Sequence, residues 1–124
     1  MWHPPEELRE IEESGEDDIV LELIGCFQTD IASRFKRLHD AVARLDAETV
    51  KAEAHTIRGS AGQMGAEALA ALCQAVEAGV PEMSWPEREY PLNQAEARFA
   101  EVYSAMAEYV VAKRRAGHDI STYR

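Results

Sequence analysis

Residues 47–64 read AETVKAEAHTIRGSAGQM. Val50, Ala54, Ile57, Ala61 and Met64 recur at spacings of three and four, the signature of a helix with one apolar stripe. Asp46, just before this run, offers a carboxylate to the free N–H groups of the first turn. Gly65, just after it, is a natural stop. Each residue advances about 100° around the axis, which places His55 roughly 140° from the stripe. A histidine so placed faces solvent, not the core. Its surface neighbours three, four and seven positions on are Arg58, Gly59 and Gly62, and Lys51 lies one turn earlier on the same side.

The same period extends in both directions, and no strand alternation interrupts it. Upstream, Val20, Ile24, Phe27, Ile31, Phe35, Leu38, Val42 and Leu45 predict one long helix over about 17–45. Arg34, Lys36, Arg37 and Arg44 lie off that stripe. Before it, residues 6–14 predict a short acidic helix that could pair through Leu8 and Ile11, with Pro4 and Pro5 near its start and Gly15 near its end. Downstream, Leu69, Leu72, Cys73 and Val76 predict a helix over about 66–78, closed by Gly79 and Pro81. Residues 80–90 read as a linker. A last helix then begins between Pro86 and Pro91, because proline is tolerated in a first turn and not deeper without a kink. Its stripe is Leu92, Ala95, Phe99, Val102, Met106 and Val110, and Lys113, Arg114 and Arg115 suit its C-terminal dipole. The expected fold is all-α: an antiparallel four-helix bundle over about 17–115 with a short extra N-terminal helix. Residues 1–16 form an acidic N-terminal segment, 116–124 a frayed tail, and the whole 1–124 is one domain.

Composition narrows the function. The 124 residues carry 13 Lys and Arg against 23 Asp and Glu, a formal net charge of -10. Nucleic-acid binders draw affinity from the opposite sign, so DNA and RNA are excluded as expected partners. The acid is concentrated in Glu6, Glu7, Glu10, Glu12, Glu13, Glu16, Asp17, Asp18 and Glu22, which suits a solvated face or the steering of a basic partner. No apolar run approaches the roughly 20 residues that span a bilayer, and no signal peptide is evident, so no membrane role and a cytoplasmic location are expected. Cys26 and Cys73 fall in apolar helical stretches and are expected as buried thiols in a reducing compartment. No His–Cys spacing makes a metal site, and no phosphate-binding glycine loop appears.

The chemistry therefore concentrates at His55. A neutral imidazole nitrogen is nucleophilic near neutral pH. Arg58 could grip phosphoryl oxygens through its planar fork, and Lys51 could add a second positive charge. Gly59 and Gly62 would each cost a helix about 1 kcal/mol relative to alanine. Off the stripe and beside an exposed histidine, they make sense if another protein must approach closely. The competing explanation is that they relieve contact with a neighbouring helix or mark a bend.

Residues 54–77, AHTIRGSAGQMGAEALAALCQAVE, resemble the signature of histidine-containing phosphotransfer (HPt) domains. That pattern is a histidine, two residues, Lys or Arg, Gly, Ser, then a Met-Gly-Ala turn and a Leu-x-x-Leu-Cys helix. The helices on either side match only in architecture. The resemblance implies that His55 is the phosphoacceptor at Nε2, that Arg58 lies near the phosphoryl group, and that Gly59 leaves room for a receiver; by their helical positions Lys51 joins as a second phosphate-stabilising cation and Gly62 and Gln63 as docking surface. Arginine stands where lysine is commoner, which keeps the charge and changes the geometry. The implied function is a phosphorelay intermediate, taking a phosphoryl group from one receiver aspartate and giving it to another. The implied partners are response-regulator receiver domains and a hybrid histidine kinase. No cofactor is expected on this chain: Mg²⁺ would come from the receiver, and the domain would be a phosphoryl carrier with no autonomous kinase activity. The alternative is an HPt-like binding module that docks on a receiver or kinase without carrying phosphate. A kinase dimerisation fragment is a third reading, but four helices able to close one core favour a monomer.

Overall fold

In a computed structural model the described residues are 2–79 and 85–122, and they form five helices. These are α1 (Glu6–Glu13), α2 (Asp17–Ala43), α3 (Ala47–Gln63), α4 (Glu67–Gly79) and α5 (Trp85–Thr122). The fold is an all-α bundle with a short N-terminal helix. Val20, Ile24, Phe27, Ile31, Phe35 and Leu38 of α2 all point into the core, as their spacing requires. Val50, Ala54, Ile57 and Ala61 of α3 meet them. Leu69, Cys73 and Val76 of α4, with Leu92, Ala95, Phe99 and Met106 of α5, close the same cluster. Phe99 stacks on Phe35 at 5.5 Å between ring centres and meets Phe27 edge-on at 6.3 Å. None of the described helices is long and apolar enough to cross a membrane.

Short caps fix where the helices turn. Asp46 Oδ1 accepts the Thr49 N–H at 3.2 Å, and Asp46 Oδ2 accepts the Thr49 hydroxyl at 2.6 Å, so the expected N-cap of α3 is present. These bonds hold the Asp46 carboxyl below its ordinary range. Helices α1, α2 and α3 all end in one motif, in which a left-handed residue lets the next N–H reach back five residues. The closing bonds run from Glu16 N to Ile11 O (3.2 Å), from Asp46 N to Ala41 O (2.8 Å) and from Ala66 N to Ala61 O (2.8 Å). The left-handed residues are Gly15, Leu45 and Gly65, with φ of 90°, 58° and 75°.

Several expectations are corrected. Leu45 is not the last core residue of the α2 stripe: it sits past the helix in the left-handed turn and is 62% exposed. Cys26 is exposed, and only Cys73 is buried. The α5 helix begins at Trp85, inside the expected linker, and runs through Pro91, which has no N–H to give the preceding turn. It continues to Thr122, so 116–122 are helical where a frayed tail was expected. Lys113 is therefore not at a helix end; its partner is Glu12 of α1. The rest of the expected linker, 80–84, and the last two residues lie outside the described residues.

The N-terminal segment is tied down more firmly than its acidic sequence suggests. Trp2 is buried and donates its indole N–H to the Met64 carbonyl at 2.6 Å. Its ring meets Tyr109 edge-on at 5.8 Å. Glu12 accepts from both Tyr109 and Lys113, which joins α1 to α5. Burial opposes the Glu12 charge, but those two donors outweigh it and hold the carboxyl below its usual range.

Candidate functional site

Helix α3 delivers His55 to the surface because its opposite side is committed to the core through Ala54 and Ile57. The imidazole is 60% exposed, as the helical wheel predicts. Its Nδ1 lies 2.9 Å from Glu77 Oε1 and 3.0 Å from Arg58 Nη2. Arg58 Nε also lies 3.5 Å from Glu77 Oε2. His55, Arg58 and Glu77 thus form one cluster, with Nε2 as the ring nitrogen left outside these contacts. Lys51 is exposed one turn before His55 on the same helix.

Glu77 is the site residue that sequence reasoning passed over. It lies on α4, only 18% exposed, where it reaches α3. The tight turn at Gly65 makes α3 and α4 an antiparallel pair. His55 and Glu77 stand at similar separations from that turn, on opposite arms, so they meet. Glu77 also follows the inward Cys73 by one helical turn, which places it at the edge of the packed face. Both signals were present in the sequence.

A second network, also unforeseen, braces the site from α2. Arg34 bonds Asp30 Oδ2 at 2.9 Å and Glu53 Oε2 at 2.9 Å. Arg37 reaches Glu53 Oε1 at 3.5 Å. Glu53 precedes His55 by two residues, so these bonds tie α2 to the turn of α3 that carries the histidine. The carboxylates of Asp30, first, and Glu53 push the Arg34 guanidinium further into its charged form.

Gly59 and Gly62 are exposed, and a Cβ added to either would meet no heavy atom within 4 Å outside the local helix backbone. Packing within the chain therefore gives no reason for them. Gln63 does not join the His55 cluster. With Ser60 it lines a shallow depression of about 300 Å³ between α2 and α3. That depression also includes Cys26. A larger groove of about 850 Å³ opens between the start of α4 and α5, beside Trp2, and His55 is not among its lining residues. The histidine thus sits on an open surface. Among the described residues no group of three or more His, Cys, Asp or Glu side chains could hold a metal ion.

The sequence matches the family model for the Hpt domain over residues 22–109. No curated protein sequence gives a significant match. Among solved structures, histidine-containing phosphotransfer protein B from Pseudomonas aeruginosa PAO1 aligns at 24% identity with a TM-score of 0.77. That alignment covers 89% of this chain and 96% of that one. The HPT domain of a sensor hybrid histidine kinase from Shewanella aligns at 16% identity with a TM-score of 0.67, covering 81% of this chain and 86% of that one. At these identities the likeness establishes the fold.

Proposed function

The chain belongs to the Hpt domain family, whose role is phosphotransfer in two-component phosphorelays, and from that premise we propose that it carries a phosphoryl group on Nε2 of His55. The observation that carries this reading is the cluster at His55: an exposed ring whose Nδ1 is engaged and whose Nε2 has no partner among the described residues. When Nδ1 carries the proton and donates it to Glu77, the Nε2 lone pair points away from the protein. An in-line attack on a phosphoryl group needs that lone pair free and approachable. The receiver would supply its own carboxylates and Mg²⁺, and this chain supplies nucleophile, cations and a surface.

In the transfer, the Nε2 lone pair forms the N–P bond while the P–O bond to a receiver aspartate breaks. The aspartate carboxylate leaves with the electron pair. Arg58 and Lys51 offset the negative charge that arrives. Gly59 and Gly62, one and two turns beyond His55, leave the backbone bare where the receiver would close on the ring. Gln63 and the α2–α3 depression extend that docking surface. Passing the group to a second receiver reverses the same steps, with a hybrid kinase as the upstream source and this domain acting as a monomer.

The test uses a receiver domain labelled on its aspartate. Incubation with this protein should move the label into an acid-labile, base-stable form, and His55→Gln should abolish that transfer. Undiminished labelling of His55→Gln sinks the reading. Binding to the receiver without any label would favour the non-phosphorylated docking module instead.

A further inference from the structure

Nδ1 of His55 has one position in the ring plane, and two groups claim it. Glu77 Oε1 is at 2.9 Å and Arg58 Nη2 at 3.0 Å. A carboxylate only accepts and a guanidinium only donates. Each contact is a hydrogen bond in only one tautomer of the neutral ring, so the two require different proton states. With Glu77, Nδ1 carries the proton and Nε2 carries the lone pair. With Arg58, Nδ1 carries the lone pair and the proton moves to Nε2, which then has nothing to attack with.

We propose that Arg58 and Glu77 form a tautomer switch on His55, and that Arg58 moves from Nδ1 in the resting protein to the phosphoryl group once Nε2 bears it. This deepens the phosphoacceptor reading and rests on it. Glu77 is a positioning residue that selects the nucleophilic tautomer; Arg58 in its resting contact selects the other. Glu77 Oε2 explains why arginine suits the role. That oxygen is buried with no hydrogen-bond partner among the described residues, and Arg58 Nε lies 3.5 Å away. Arg58 can keep that end near Glu77 while its Nη2 end swings across the ring. A lysine has a single nitrogen and cannot do both.

Phosphorylation drives the swing. The Nε2 lone pair enters the N–P bond, the receiver carboxylate departs, and the ring keeps its Nδ1 proton as a cation. Nδ1 donates that proton in a hydrogen bond to Glu77 Oε1. Nδ1 now offers no lone pair to Arg58, and the phosphoryl oxygens offer several. Lys51, the other cation on this side of α3, does not touch Nδ1 and stays free to help.

Two spectra test the switch on the full chain. The first is a histidine ring ¹⁵N correlation spectrum of unphosphorylated protein, at a pH where the ring is neutral. Arg58→Met should raise the Nδ1–H share of His55 severalfold, and Glu77→Gln should lower it. Unchanged tautomer populations in either variant overturn the proposal, and this holds whether or not His55 accepts phosphate. The second follows the Arg58 guanidinium ¹⁵N signals while phosphoramidate phosphorylates the wild-type protein. They should shift when phosphohistidine appears, and the phosphohistidine ³¹P signal should move in Arg58→Met. Static guanidinium signals on a phosphorylated His55 overturn the swing. Label on His3, His39 or His118 instead, or no label at all, overturns the phosphoacceptor reading and the swing with it, while the first spectrum still decides the resting contacts.

Discussion

Helix α3 and the turn that closes it hold two kinds of surroundings for a glycine, separated by a few residues. At its C-terminal turn, Gly65 has φ of 75°, and an added Cβ would come within 3.5 Å of Pro5. Here the backbone favours glycine: it is left-handed, and an added Cβ would meet the N-terminal segment at ordinary contact distance. On the outward face, Gly59 and Gly62 have ordinary helical backbone and empty space around them. Here the fold would be better served by alanine. A residue that weakens its own helix, where an added Cβ would meet nothing among the described residues, points to a requirement outside the chain. The contrast separates what α3 does for the bundle from what it offers a partner.

Substitution can break that contrast. Gly65→Ala should be the most harmful to stability, by about 1–2 kcal/mol from the left-handed backbone alone, measured by urea unfolding. A neutral outcome would mean that the turn relaxes and that Trp2 and Pro5 do not clamp it. Gly59→Ala should do the reverse, stabilising the protein by up to about 1 kcal/mol while slowing phosphotransfer from a receiver. A more stable protein with unchanged transfer would remove the argument for close approach. The smallest effect concerns the contact that ties α1 to α5. Glu12→Gln should cost under about 1 kcal/mol, since the pair is partly solvated. The Glu12 carboxyl is held below its usual range in the folded protein. Its contribution is therefore complete above the ordinary carboxylate pKa and fades as pH falls through the lower folded value. The stability gap between Glu12→Gln and the parent should close in acid. A gap that stays constant from neutral pH down to about 3, below the ordinary carboxylate pKa, would show that the bonds to Tyr109 and Lys113 do not form in solution.

Much of the architecture was readable because helices repeat. The α2 stripe from Val20 to Leu38 and the outward angle of His55 follow from one number, the residues per turn. What escaped depended on contacts between distant segments or on a choice between two local rules. Leu45 continued the apolar period, but the turn into α3 claimed it for a left-handed position that costs a non-glycine residue about 1–2 kcal/mol. Cys26 was judged by its apolar neighbours, yet its angle on α2 turns it outward. Trp2 has no periodic context, and only the Met64 carbonyl and the Tyr109 ring explain its burial. At the site, the Arg58 contact with His55 was foreseeable from spacing, because neighbours on one helix are fixed by number. Glu77 was not, because it arrives from the next helix and needed the antiparallel turn as well.

The two cysteines have a practical consequence. Burial pushes the Cys73 thiol up to about 12, so it stays protonated and shielded at neutral pH. Cys26 is open on the α2 side of the depression that Ser60 and Gln63 line. A maleimide dye or spin label added to the unaltered protein should therefore attach at one place, beside the surface proposed to meet the receiver. The molecule comes with its own reporter position, and complex formation can be followed by fluorescence or distance spectroscopy without engineering a site.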